Sequence, residues 1–227
     1  MRARIDSLLN GKVAPLGPEG KPSGIAKTPV DVRLSLGLTG LEGDSQADLK
    51  NHGGTEKAVH HYPRDHYAFW QRQLPHHSEI LDDPGAFGEN ISTMGITEDA
   101  VCIGDIYELG SAVVQVSQAR QPCWKLNARF EYKAMAATVQ STRFSGWYYR
   151  VLSEGDVEAG DSILLVDRLH EDWPLTRLMA IIYDKSQDER ELLAMSDLEA
   201  LAPNWQNLAK KRLATRKVED WSDRLGS

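Results

Sequence analysis

The chain has 227 residues, of which 41% are hydrophobic and 26% charged, and a formal net charge of -7 at neutral pH. These values suit one large globular domain, or a large and a small one, and exclude a disordered or fibrous chain. So acidic a chain does not coat nucleic acid by bulk electrostatics, and no segment approaches the ~20 apolar residues of a membrane span, so a cytoplasmic protein without membrane or nucleic-acid partners is expected.

The amino-terminal stretch MRARIDSLLNGKV lacks the apolar run of a secretory signal. In GKPSGIAK, Lys21, Ser23 and Lys27 then bring cationic and hydroxyl groups beside the first strands. Val30, Val32, Leu34 and Leu36 alternate at the period of a half-buried strand. KAVHHY, DIYEL, AVVQVS, WYYRVL and SILLVDR are further strand candidates, with Gly110-Ser111 as a hairpin turn between two of them. Two helices are predicted between strands, PRDHYAFWQRQL behind Pro63 and RFEYKAMAATVQ after Asn127. Many short, evenly punctuated strands suggest a barrel or strongly curved sheet. Near Asp172 to Pro174 the period becomes helical, and PLTRLMAIIYD, SQDERELLAMSD and PNWQNLAKKRLATRK read as a three-helix unit.

Two cysteines are too few for a disulfide scaffold and fit a reducing compartment. Cys102 lies in the apolar run AVCIGDIYEL and reads as a small buried hydrophobe. Cys123, in VSQARQPCWKLN, follows a strand and a proline and stands between Arg120 and Lys125. Cationic neighbours favour the thiolate, the reactive and metal-binding form; a buried structural thiol with solvated neighbours is the plainer alternative. In GLEGDSQADLKNHGGTEKAV, Gly40, Gly43, Gly53 and Gly54 supply turns whose N–H groups can approach an anion, beside His52 and Lys57. The stretch is neither a P-loop nor a dinucleotide fingerprint, and two ordinary glycine turns also explain it. In FGENIST, Asn90 could offer an amide to a heterocycle and Glu89 could orient a neighbour. His60 and His61 are adjacent on a strand and point to opposite faces, and no H-E-x-x-H occurs, so no zinc site is expected.

Taken in order, GLEGD, HGGTEKAV, FGEN and QARQPCWKLN resemble the MOSC domain, the fold shared with the carboxy-terminal part of molybdenum-cofactor sulfurases. The tail ending KKRLATRKVEDWSDRL resembles the bacterial branch named for resistance to 6-N-hydroxylaminopurine. The resemblance covers nearly the full chain; Ala119 departs from it, standing where the family would carry proline before the arginine. It implies a mainly β fold, with a MOSC-type β-barrel and a few inserted helices over residues 1–172 and a small three-helix domain over 173–227.

It also implies a molybdenum cofactor, a molybdenum-pterin, with Cys123 as the protein ligand of the metal. Lys21, Ser23, Arg120 and Lys125 are then expected as cationic and hydroxyl contacts, and Asp44, His52, Gly53, Gly54, Lys57 and Asn90 as walls. His52 and His61 are the candidate proton donors. The implied activity is reduction of N-hydroxylated compounds, such as 6-N-hydroxylaminopurine and related base analogues, as a detoxification. Two cysteines cannot hold a four-cysteine iron–sulfur cluster, and no flavin or nicotinamide fingerprint occurs, so a separate flavoprotein reductase is expected as electron donor. The alternative is a sulfur or molybdenum-cofactor carrier that uses the same cysteine. In LAKKRLATRK five of ten residues are basic, Lys210, Lys211, Arg212, Arg216 and Lys217, which suggests a docking face for an acidic flavoprotein more than a nucleic-acid contact. An oligomer is compatible with all of this.

Overall fold

Runs rich in β-branched and aromatic residues become strands, kept short by the glycine, proline and polar clusters between them. The computed structural model describes residues 1–226 and contains, in chain order, strands β1 (Arg2–Arg4), β2 (Ser7–Asn10), β3 (Ala14–Leu16), β4 (Lys21–Ser23), β5 (Thr28–Pro29), β6 (Leu34–Gly37) and β7 (Gly40–Leu41). Strands β8 (Val59–Pro63), β9 (Ile91–Thr93), β10 (Ile106–Leu109), β11 (Ala112–Ala119), β12 (Trp147–Ser153), β13 (Gly155–Val157) and β14 (Ser162–Asp167) follow. Helices α1 (Leu49–His52), α2 (Tyr67–Gln73), α3 (Lys125–Arg129) and α4 (Met135–Thr142) are inserted between strands. The tail carries α5 (Leu175–Tyr183), α6 (Glu189–Ser196), α7 (Pro203–Thr215) and α8 (Ser222–Leu225).

Nine strands join in one sheet in the order β1-β14-β10-β11-β12-β8-β9-β2-β5. The mainly β expectation with a helical tail holds, but the sheet is not closed into a barrel. It curls because residues 2–10 serve both ends, Ala3 pairing with Ile163 and Leu8 with Ile91 across the bend at Ile5 and Asp6. Gly110 and Ser111 make the expected hairpin, with Leu109 opposite Ala112; Gly110 has φ +59, and a Cβ there would meet the Asp156 carbonyl oxygen at 2.3 Å.

Two predicted elements are shorter than their patterns. The alternation from Val30 becomes strand only at Leu34, since Val32 turns outward and is 61% exposed. The helix predicted after Asn127 is split into α3 and α4 by Glu131, which sits at φ +50, outside the helical region. The tail follows its local signals closely. Pro203 opens α7 at its first turn, and the Asp188 carboxylate caps α6 by accepting from Glu191 N at 2.9 Å.

The tail helices do not have a core of their own. Leu178, Ile182, Met195 and Trp205 belong to the same buried cluster as Val114, Trp147 and Ile163 of the sheet. Each such side chain removed from water contributes about 1.5–3 kcal/mol. Backbone bonds seal the join, with Ile103 N donating to Trp173 O at 2.9 Å and Ala202 N to Ser117 O at 2.9 Å. A second cluster, including Tyr62, Trp70, Phe87, Leu126, Phe130 and Val139, lies under α2 and α4. The segment between β11 and α3 runs from the first cluster to the second, so its ends are fixed by different cores.

The basic run on α7 is not one exposed face. Arg212 is fully buried and donates to the Ile181, Ile182 and Ser186 carbonyls at 3.0–3.2 Å and to Glu219 at 2.9 Å. Arg216 is paired with Glu189 at 2.8 Å. The five-charge docking face therefore fails on geometry, because one of its charges caps the end of α5 from inside.

Candidate functional site

After β11 the chain runs through Arg120, Gln121, Pro122 and Cys123 to Trp124 and into α3. Arg120 N donates to Gly146 O at 3.0 Å and its carbonyl accepts from Tyr183 Oη at 3.1 Å. Trp124 N donates to Arg224 O at 2.8 Å, and the Arg224 guanidinium donates to the Pro122 carbonyl and to Gln140 Oε1. The loop is thus strapped by Gly146 just ahead of β12, by α5 and by α8. This fixes a buried free thiol, Cys123, at 7% exposure. Cys102 is also free and buried, its Sγ 3.6 Å from Glu171 O, as expected for a thiol placed for packing.

Opposite the thiol stands His52, at the end of α1. Asp48 caps that helix by accepting from Lys50 N and Asn51 N at 3.1 and 3.0 Å, which turns the next residues toward the loop. His52 Nε2 lies 3.4 Å from Cys123 Sγ. Burial, reinforced by the charges of Lys125 and Arg120, pushes the His52 imidazole down to about 4, so it is neutral at physiological pH. Its Nδ1 is 3.6 Å from the Asp48 carboxylate and has no hydrogen-bond partner among the described residues.

Cys123, His52, Lys57 and Tyr148 line two adjoining cavities. The narrower, about 60 Å³, also meets Ser23, Lys27, His60, Asn90, Arg120 and Lys125. Arg120 and Lys125 are 5% and 7% exposed, and neither has a carboxylate partner among the described residues; Arg120 Nη1 has no hydrogen bond at all. Buried cations without counter-charge are costly, so the cleft has the character of an anion site. Lys27, by contrast, is neutralised by an ion pair with Asp44, and burial pushes its ammonium down. Burial likewise lowers Lys57, whose Nζ donates to Asn51 O at 2.6 Å.

The expected residues separate into three groups. Cys123, His52, Ser23, Lys57, Asn90, Arg120 and Lys125 converge on the narrow cleft, while Gly53 lines the wider cavity and Gly54, at φ +91, turns the chain beside it. Asp44 stands behind the wall, accepting from Gly11 N, Gln46 Nε2 and Asn90 Nδ2 at 2.9–3.1 Å. Asn90 is consumed by the fold as well, its Oδ1 accepting from His60 N at 3.1 Å, so its amide backs the cleft and is not free for a heterocycle. Glu89 orients the preceding turn, accepting from Gly85 N and Phe87 N at 2.7 and 3.0 Å.

Lys21 and His61 lie outside both cavities. Lys21 pairs with Glu19 at 2.8 Å on the surface and sits 5.0 Å over the Trp124 ring. His61 is fully buried inside the sheet, with Nδ1 3.0 Å from Tyr149 Oη and Nε2 2.8 Å from Thr93 Oγ1. With both ring nitrogens occupied and its side chain outside the lining of both cavities, it is placed as a core histidine. Its neighbour His60 faces the cleft instead, 5.0 Å from the Tyr148 ring, and is held well below its ordinary range, first by burial and then by Arg120. The alternation of a strand puts one of the pair inward, but nothing in HHY says which.

Burial pushes His61 down to about 3, so the unfolded chain takes up a proton there below pH 6.5 that the native state refuses until near pH 3. Stability is therefore whole above pH 6.5 and lost as pH falls through that window. At pH 5 the loss from this residue is about 2 kcal/mol, and His61→Gln is expected to shrink the pH 7-to-5 drop in urea-unfolding free energy by that amount. Equal drops in the two proteins would contradict the assignment.

The family model for the MOSC domain matches residues 48–164, and that for the YiiM-like, 3-alpha helix domain matches residues 173–216. Protein YiiM of Escherichia coli (strain K12) is 42% identical over 225 residues, which cover 99% of each chain. The crystal structure of YiiM from Escherichia coli superimposes with a TM-score of 0.84 at 36% identity over 99% of this chain and 98% of that one. A protein of Gibberella moniliformis named "Reductase" is 38% identical over 193 residues, 84% of this chain but 34% of its own length. MOSC domains as a family are linked to molybdenum-cofactor binding. Over its central and carboxy-terminal segments the chain belongs to the MOSC-domain family, in the branch that adds a YiiM-like three-helix domain.

Proposed function

We propose that the protein is a cytoplasmic, molybdenum-cofactor-dependent reductase of N-hydroxylated compounds such as 6-N-hydroxylaminopurine, served by a separate flavoprotein reductase. The observation that carries this reading is the Cys123 thiol, paired with a neutral His52 in a cleft whose two buried cations, Arg120 and Lys125, have no ion-pair partner among the described residues. A soft sulfur donor beside an anion site fits a metal carried on a phosphorylated pterin. Cys123 would hold the metal, Arg120 and Lys125 the anionic part, and Ser23, Lys57 and the wall backed by Asp44 and Asn90 the remainder.

Bound there, the cofactor supplies two-electron reduction of an N–O bond. In the overall reaction R–NHOH takes two electrons and two protons to give R–NH2 and water. The chain's own residues bind, orient and exclude water. In its Nε2–H tautomer His52 donates toward Cys123 Sγ and orients the sulfur that would ligate the metal. Arg120 and Lys125 act as fixed charges that need no rearrangement. The match to part of a longer fungal protein named "Reductase" supports a redox role in which other polypeptide supplies the electrons. Residues 1–172 would carry the cofactor, and residues 173–227 would complete the site.

Protein from molybdate-replete cells is expected to hold stoichiometric molybdenum and pterin, and to consume 6-N-hydroxylaminopurine only with a reductase and electron donor. Absence of both metal and pterin would remove the reading. Cofactor delivered to an acceptor protein without substrate consumption would identify a carrier instead.

A further inference from the structure

The wider cavity has a volume of about 650 Å³, within the range of sites that enclose small ligands. It shares Cys123, His52, Lys57 and Tyr148 with the cationic cleft, but its lining otherwise differs in charge. Asp48, Glu56 and Asp223 are set against Lys50, Lys57 and Arg224, and Glu56 is further paired with Arg150. The walls therefore carry no net excess of positive charge, and an uncharged ligand suits them better than a second anion. One wall is aromatic, formed by Trp124 and Tyr148.

Among the described residues three lining this cavity carry a buried polar atom without a hydrogen-bond partner, His52 Nδ1, Arg224 Nε and Gln118 Oε1, and the last is a carbonyl oxygen that can only accept. Gln118, at the end of β11, is 1% exposed; its Nε2 donates to Glu56 O at 3.3 Å, while Oε1 has no hydrogen bond. A buried carbonyl oxygen left unpaired is costly, and a ligand N–H or O–H would recover that cost. Part of the lining comes from the tail, through Pro203 and Asn204 at the start of α7 and Asp223 and Arg224 of α8. This is chemical work that the three-helix segment can do and that packing alone does not explain.

We infer that this cavity is the substrate subsite, that it takes an uncharged, planar, N–H-bearing molecule, and that Gln118 Oε1 accepts a hydrogen bond from it. The inference rests on the reductase reading, which makes the Cys123 side of the cavity the reacting end. Gln118 is then a specificity-determining residue, and the tail is part of the binding wall.

The test is equilibrium dialysis of 6-N-hydroxylaminopurine against the cofactor-loaded protein without electron donor, so that no turnover occurs, with molybdenum assayed in parallel. Gln118→Met removes the acceptor at similar volume, and Asn204→Trp fills the cavity from an exposed position in its tail-derived lining. Each is expected to weaken binding about tenfold or more while molybdenum content stays at the wild-type level. Asn204→Trp decides the cavity: wild-type affinity in that variant overturns the subsite. Gln118→Met decides the contact: wild-type affinity there overturns the assigned acceptor. If Gln118→Met does not fold, Asn204→Trp still carries the test. Loss of the reductase reading would register separately, as wild-type protein without molybdenum.

Discussion

Cys123→Ser is expected to lose molybdenum together with activity, by at least about 100-fold, while keeping the wild-type fold. Replacing even an outer-shell partner of a metal ligand costs about 10–100-fold, and exchange of the soft sulfur for a hard, rarely ionised hydroxyl goes further. The fold should be spared because the side chain is small and its loop is fixed by other groups, Tyr183, Arg224 and the Gly146 carbonyl. Metal analysis, turnover with reductase and donor, and a thermal melt separate these effects. Equal metal and equal turnover in the two proteins would refute Cys123 as the ligand. His52→Gln should give a smaller loss, since it removes only the group 3.4 Å from the sulfur.

Arg212→Met is expected to destabilise the protein by about 3–5 kcal/mol, because it leaves a half-buried carboxylate and several carbonyls without their donor. Glu219 keeps its charge with no partner, and the Ile181, Ile182 and Ser186 carbonyls at the end of α5 lose theirs. For a chain of this size the melting temperature should fall by roughly 10 °C. Lys211→Met, one residue away but exposed, should stay within about 0.5 kcal/mol of wild type. Similar behaviour of the two variants would mean that Arg212 is solvated and that the basic run is a surface face after all.

These two residues mark how far local information reaches. Cys123 could be raised as a candidate from its neighbours, a proline, a strand end and two cationic residues, but they left a structural thiol open, and only the resemblance carried by the surrounding motifs favoured a metal ligand. Arg212 could not: in LAKKRLATRK it looks like the other basic residues. Helical periodicity places it on one side of α7, but only the arrival of α5 and Glu219 at that side makes the position a buried one.

The same division runs through the rest of the protein. Period-two alternation, glycine and proline punctuation and the change to helical period near residue 173 determined the order and type of most elements, because those signals act within a few residues. They also determined that His60 and His61 face opposite ways. Tertiary structure alone decided that His60 meets the cleft and His61 the core, that Asn90 and Asp44 spend their polar groups on the wall, and that Lys21 stays outside. It decided too that Gln118, an ordinary strand residue in the sequence, holds an unpaired oxygen against a cavity completed by residues 203–224. Such outcomes depend on which surfaces meet across more than a hundred residues, and burial and pairing are properties of that meeting, not of the residue.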